Sequence, residues 1–369
     1  MSATKCGVLP VLTAVLAAAS WSLFAATVAA AAGDAATMKI ALRWRKLPPL
    51  PDREGFAAPF CGVSGGALLV AGGANFPGKR PWEGGTKQWY DTIYVLPHES
   101  GGWQTAGRLP RPNAYGLAVS TGQGVVCIGG GDARRHFRDV FALRWKDGSI
   151  AHTPLPDLPR PCAFASGALV GDTIYLAGGI EEPAATSCLN TLWAMDLARP
   201  SPSWQELPAC PGGERMLAVA GAADGSFFLL SGVKLKAGPD GKPVREYLHD
   251  AWRYTPQSAG WKRLADLPRA AAAAASPAPT VDGPRLLVIS GDDAQHVGFK
   301  PEPAHPGFPR NVLAYDVRRD AWSIVGEAPF SRATVPTTVW NGGTVIANGE
   351  ARPGYRSPEV WSLHAEIQR

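Results

Sequence analysis

The chain has 369 residues, 42 of them Gly and 34 Pro. That density of backbone breakers, without a collagen-like period, excludes a helix bundle and points to short elements joined by many turns. Hydrophobic residues make up 46% and charged ones 18%, which excludes a disordered chain. The formal charge of +5 comes with no Lys/Arg run, so it argues against a nucleic-acid partner and suits an anionic small ligand.

Lys5 precedes an apolar, Ala-rich stretch from Gly7 to Ala32, and Val28-Ala29-Ala30 or Ala30-Ala31-Ala32 offers small residues for cleavage. This is the order of a secretory signal peptide. Residues 1–32 are therefore expected to be removed, leaving a periplasmic or secreted protein with no stable membrane insertion. A retained anchor is the alternative, since the stretch nearly spans a bilayer, but its Ala content makes it weakly hydrophobic. The mature chain keeps Cys61, Cys127, Cys162, Cys188 and Cys210. An odd number, with Cys127 inside an apolar run, argues for buried thiols over a disulfide framework. Cys188 with Cys210 is the one pairing left open.

Six apolar runs then end in a small-residue doublet: Gly72-Gly73, Gly129-Gly130, Gly178-Gly179, Ser231-Gly232, Ser290-Gly291 and Asn348-Gly349. The intervals are 57, 49, 53, 59 and 58 residues. After each doublet come a variable insert and a further strand, starting near Asp91, Asp139, Asn190, Asp250, Asn311 and Pro358. A third signal is Trp with Pro seven residues later, at Trp103/Pro110, Trp204/Pro211, Trp261/Pro268 and Trp322/Pro329, with Ile150 expected in the Trp position of the second repeat. The sixth repeat lacks this piece, which instead stands before the first as Trp44/Pro51. An N-terminal strand that completes the last blade closes a ring and removes its open edges. The expected fold is all-β: one six-bladed propeller over residues 39–369, with the Trp residues as wedges between blades.

The doublets and spaced aromatics resemble kelch repeats, whose period is about 50 residues. Three segments resemble a narrower family. Ile346-Ala-Asn-Gly-Glu-Ala-Arg-Pro-Gly-Tyr-Arg356 is similar to the Asn-Gly-Glu-Ala-x-Pro-Gly-x-Arg segment of bacterial N-acetylneuraminate epimerases, the sialic acid mutarotases. Ala71-Gly-Gly-Ala-Asn-Phe-Pro-Gly78 and Asn113-Ala-Tyr-Gly-Leu-Ala-Val-Ser120 resemble two others. The Asn-Gly-Glu blade comes last here and mid-chain in the enterobacterial enzymes, so the resemblance implies a cyclically permuted member.

That resemblance implies an isomerase that opens and recloses the ring of N-acetylneuraminate, with Glu350 as proton acceptor and Arg356 beside it. Both lie on a short insert in which Pro353-Gly354 enforces a turn. A carboxylate suits the base, and a guanidinium matches a substrate carboxylate in bidentate geometry. No metal or redox cofactor is needed. Alternating strand direction places Arg111, Arg160, Arg215, Arg269 and Arg332 on the face that carries Glu350, as an expected anion-recognising rim. Arg215 also matches a Pro-Gly-Gly-x-Arg stretch of the family, at Pro211 to Arg215. Asn75 and Tyr115 are further binding candidates. The long inserts Ala74 to Tyr90, Val233 to His249 and Asp292 to Arg310 add Trp82, Asp292, His296 and His305. Tyr115, Tyr355, His296 and water remain open as the general acid. The family's corresponding blade begins with a His-containing stretch, whereas Arg269 here is followed by a run of Ala.

Two other readings fit the same sequence. A non-enzymatic secreted propeller binding a glycan or protein is the main alternative, because fold does not dictate function. A sialidase is the second, against which the lack of Ser-x-Asp-x-Gly-x-Thr-Trp boxes counts. No His pair is spaced like the ligands of a copper radical oxidase.

Overall fold

Each apolar run forms the second strand of a four-stranded antiparallel sheet, and six such sheets follow one another along the chain. The computed structural model describes residues 39–238, 240–282 and 284–368; the expected signal segment lies outside them. Blade 1 runs Phe60–Ser64, Ala67–Ala71, Thr92–Leu96, Gln104–Arg108, and blade 2 Leu117–Thr121, Gly124–Ile128, Val140–Lys146, Ser149–Leu155. Blade 3 runs Ser166–Val170, Thr173–Ala177, Leu192–Asp196, Trp204–Leu207, and blade 4 Val219–Ala223, Ser226–Leu230, Ala251–Thr255, Gly260–Leu264. Blade 5 is Thr280–Val281, Arg285–Ile289, Asn311–Asp316, Ala321–Glu327. Blade 6 takes Thr337–Trp340, Gly343–Ala347 and Val360–Ile367, and its outer strand is Ile40–Leu47 from the other end of the chain, paired from Ile40 opposite Ile367 to Leu47 opposite Val360. The ring is thus closed by the N-terminal strand, as expected. Among the described residues no helix is long and apolar enough to cross a membrane.

Burial follows the blade order. The second strands of blades 1, 2 and 4 are buried along their whole length, because both sheet faces meet a neighbouring blade, and Ser226 is the one hydroxyl residue among them. The outer strands are mostly exposed. The five cysteines among the described residues are buried and free, Cys188 and Cys210 included.

The blades meet at the axis through one closed circuit of backbone hydrogen bonds. The amide of Tyr115 donates to Ala58 O, Phe164 to Tyr115 O, Leu217 to Phe164 O, Ala273 to Leu217 O, Thr334 to Ala273 O and Ala58 to Thr334 O, at 2.7 to 3.0 Å. All six residues are left-handed, with φ between 44° and 65°. That conformation costs a non-Gly residue about 1–2 kcal/mol, and the circuit of bonds offsets it.

The doublets form a second layer of ties. Both residues of each have positive φ, but for different reasons. A Cβ on Gly291 would lie 2.6 Å from Ala274 Cβ, so the second position needs Gly for space as well as conformation. The first position is Ser231, Ser290 and Asn348 in three blades. Its carbonyl is turned inward and is met by a side chain from the segment leading into the blade: Asn113 to Gly129 O, Cys162 to Gly178 O, Arg215 to Ser231 O, Arg269 to Ser290 O and Arg332 to Asn348 O.

At the rim, the indole N–H groups of Trp103, Trp204, Trp261 and Trp322 donate to Pro48 O, Pro156 O, Pro208 O and Ala265 O at 2.7 to 2.9 Å. Each acceptor follows the outer strand of the preceding blade. The second repeat departs from the expectation at Ile150. Trp204 stands opposite Met195, the fourth residue of its third strand, and the fourth residue of the blade 2 third strand is Leu143, opposite His152. His152, with Pro159 seven residues on, therefore holds the Trp position, and its imidazole reaches the Arg108 carbonyl. The smaller ring leaves a cavity of about 220 Å³ between blades 1 and 2, lined by Leu109, Pro110, Phe141 and His152 among others. Substituting His152→Trp should fill part of it, keep the bond to the preceding blade, and raise unfolding stability by about 1 kcal/mol. A urea midpoint below that of the wild type would show that the seam does not accept an indole.

Candidate active site

In every blade the segment leading into the first strand forms an antiparallel bridge with the first residue after the doublet: Ala57 with Ala74, Ala114 with Gly131, Ala163 with Ile180, Met216 with Val233, Ala272 with Asp292 and Ala333 with Glu350. All six inserts are thereby rooted on one face, next to the axial circuit. Six equivalent positions result, and only those of adjacent blades 5 and 6 carry carboxylates, Asp292 and Glu350. The circuit itself is uneven. Blades 2 to 4 contribute bulky Tyr115, Phe164 and Leu217, whereas blades 5, 6 and 1 contribute Ala273, Thr334 and Ala58.

The blade 6 insert is a ribbon, Glu350–Arg352 against Tyr355–Arg356, with Glu350 directly opposite Arg356. Gly354 takes the turn at φ 78°, where a Cβ would lie 2.6 Å from Trp82 Cζ3. Arg356 Nη1 donates to Glu350 Oε1, and the Gly354 amide donates to the same oxygen at 2.9 Å. Both bonds fall on Oε1, and among the described residues Oε2 has no hydrogen-bond partner. The Arg356 side chain is 4% exposed against 20% for Glu350, and its guanidinium lies over the Phe76 ring.

Inserts from blades 1 and 4 bring two more cations. Lys87 and Arg245 line a cavity of about 370 Å³ with Trp89, Tyr115, His136 and Phe164. Lys87 Nζ lies 4.3 Å from the Tyr115 ring centroid and 5.0 Å from that of Trp89. Burial, with the Arg356 charge adding to it, pulls its ammonium down to about 8. Burial pushes the Tyr115 phenol up to about 12, so it is protonated at neutral pH. Tyr115 stacks on Phe164 at 4.4 Å. Tyr247 donates to Asp292 Oδ2 at 2.7 Å, tying the blade 4 insert to blade 5.

Of the residues singled out from the sequence, the structure brings Glu350, Arg356 and Tyr115 together. It does not gather the arginines into a rim. Arg215 is 1% exposed and forms a two-pronged pair with Asp250 at 2.8 Å. Arg332 is held by Ser357, Glu359 and Asn348 O, and Arg269 by Asn311 and Ser290 O. These three satisfy inward-turned carbonyls and are part of the scaffold. Arg111 pairs with Asp139 at 3.5 Å and Arg160 with Glu181, both in an outer cleft between blades 2 and 3. Asn75 is buried, donating to Gly55 O and accepting from Tyr90. Trp82 packs against Tyr355 of the ribbon, with Arg80 and Arg352 over the Tyr355 ring. His296 and His305 contact one another and Phe299 within the blade 5 insert. Sequence reading missed Lys87 and Arg245. A single Lys or Arg in a Gly-rich insert has no distinguishing spacing, and only a count of partners in the folded protein separates it from a solvated one.

A family model described as N-acetylneuraminate epimerase matches residues 26–151 and 155–297. The N-acetylneuraminate epimerase of Haemophilus influenzae (strain PittEE) is 29% identical over 227 residues, covering 56% of this chain and 58% of that one. The one from Yersinia enterocolitica is 29% identical over 231 residues, covering 56% of each. The Salmonella enteritidis PT4 protein of the same name is 39% identical over 125 residues, 30% of this chain and 32% of that one. The matches thus span little more than half the length of these curated relatives at most. The solved structure of YjhT superposes with a TM-score of 0.63 at 14% identity, covering 88% of this chain and 99% of that one, and shares its fold.

The Lys87 charge has a measurable cost. Its folded-state affinity for a proton is depressed from 10.5 to about 8, so below pH 8 folding carries the full penalty of a desolvated ammonium, and the penalty fades as pH rises toward 10.5. Lys87→Met should therefore raise the thermal midpoint at pH 7, with the gain shrinking between pH 8 and 10. A midpoint that falls at pH 7 would mean that the ammonium stabilises the fold.

Proposed function

The chain belongs to the N-acetylneuraminate epimerase family, and on that premise we propose that it is a sugar mutarotase interconverting the α and β anomers of N-acetylneuraminate. The observation that carries this reading is Glu350, fixed through one oxygen and free at the other, beside a cationic cavity at the propeller axis. In the proposed reaction Glu350 Oε2 takes the proton of the anomeric hydroxyl. The bond from the anomeric carbon to the ring oxygen breaks, and that oxygen is protonated as the open-chain ketone forms. Rotation about the adjacent carbon–carbon bond presents the other carbonyl face, the hydroxyl adds back, and Glu350 returns its proton to the new anomeric oxygen. No proton, electron or atom is gained overall, so an acid/base pair suffices. Of the four candidates for the general acid, Tyr115 is the one that lines the cavity as a protonated donor; Tyr355 lies between arginine side chains and His296 is stacked within its own insert.

We also read the chain as a cyclically permuted kelch propeller, because its Asn-Gly-Glu blade is the last of the six. The Lys5, apolar and small-residue order of residues 1–32 supports export and a periplasmic or secreted location, where faster anomer exchange serves the uptake of a released sugar.

The deciding experiment follows freshly released α-N-acetylneuraminate by proton NMR with the protein, with Glu350→Gln, and without protein. We expect acceleration by the wild type and a loss of roughly 100-fold or more in the variant. A folded wild type that leaves the spontaneous rate unchanged removes the sialic acid assignment.

A further inference from the structure

Lys87 stands out as a half-buried cation without a paired counter-ion. Among the described residues its ammonium has no carboxylate at ion-pair distance and no protein hydrogen-bond acceptor, and it lies over the faces of Tyr115 and Trp89. Two ring faces recover part of what a half-buried ammonium loses in hydration, but neither supplies a counter-charge. The charged groups around it are Glu350 and Arg356 from blade 6 and Arg245 from blade 4, with the Tyr115 phenol below, and Asp132 and His136 of the blade 2 insert line the same cavity. Three cations thus face two carboxylates, and both are already engaged: Glu350 by Arg356, and Asp132 by the amides of Arg134 and Arg135. Arg356 is already charge-paired: Nη1 donates to Glu350, and its side chain is 4% exposed.

We propose that Lys87, with Arg245 beside it, is the receptor for the carboxylate of the sugar acid, and that Arg356 is a positioning residue that acts on Glu350. This rests on the mutarotase reading of the same cavity and reassigns the anion-binding task within it. A sugar carboxylate entering the cavity supplies the missing counter-charge and accepts hydrogen bonds from the ammonium. Arg356 keeps its bond to Glu350 throughout, so substrate binding leaves the orientation of the base unchanged.

The test is calorimetric titration of the full chain with the methyl β-glycoside of N-acetylneuraminic acid, which is locked as one anomer, and with the methyl ester of that glycoside, which lacks the charge. The wild type should prefer the acid. Lys87→Met should lose roughly 10- to 100-fold in affinity for the acid, the range for a hydrogen bond to a charged group, and change little toward the ester. Lys87→Arg should restore much of the preference. At pH 8.5 the acid should bind the wild type with proton uptake, seen as a heat that depends on the buffer, because the bound carboxylate favours the charged ammonium; Lys87→Met should lose this uptake. Equal weakening of acid and ester in Lys87→Met, or an acid preference that survives it and falls with Arg356→Gln, overturns the proposal and leaves the mutarotase reading standing. A folded wild type that accelerates mutarotation but binds neither compound overturns this proposal alone; one that does neither overturns both.

Discussion

Everything on the functional face depends on the closed circuit of left-handed residues at the axis. Six amides donate in one rotational sense to six carbonyls, and the circuit closes only if all six lead-in segments take the same φ > 0 turn. That turn lays each lead-in segment against the root of its own blade's insert, through a bridge repeated six times. Inserts that differ in length and composition therefore leave the ring at equivalent points. The scaffold supplies position and the inserts supply chemistry, a division common where function is carried on loops of a rigid frame.

This geometry also decides which polar residues are free to act. A doublet with two positive φ values turns a carbonyl into the blade interior, and a buried carbonyl without a donor is costly. Arg215, Arg269 and Arg332 meet that need from homologous positions, as Asn113 and Cys162 do in two other blades. Guanidinium groups that look available in the sequence are consumed by the fold. The charges left for a ligand come from the inserts, where no backbone group competes for them.

The fold was legible because its signals repeat. Doublets, third strands and rim tryptophans each occur at several equivalent places, so one weak match is corrected by the others. The error at Ile150 shows the limit: the position holds His152, and a missing Trp could be located only by its strand partner or by Pro159. The pairing of Glu350 with Arg356 was legible because it is local, set by a Pro-Gly turn within one short insert. Lys87 and Arg245 were not, because their proximity arises from three blades meeting at the axis. Which arginines are buried follows from an inward carbonyl that no residue type announces.

The unpaired charge and the half-free carboxylate are two parts of one arrangement. A group that removes a proton and returns it within a single turnover needs a fixed orientation and an unoccupied oxygen. The bonds to Oε1 give Glu350 the first and leave Oε2 for the second. If Arg356 also had to grip the substrate acid, binding would compete for the guanidinium that orients the base, and binding and reactivity would oppose each other. Placing the acid on a cation from another blade separates the two tasks. The cost is a half-buried ammonium without a paired counter-ion, and a ring tied at its axis, its doublets and its rim has the stability to carry it.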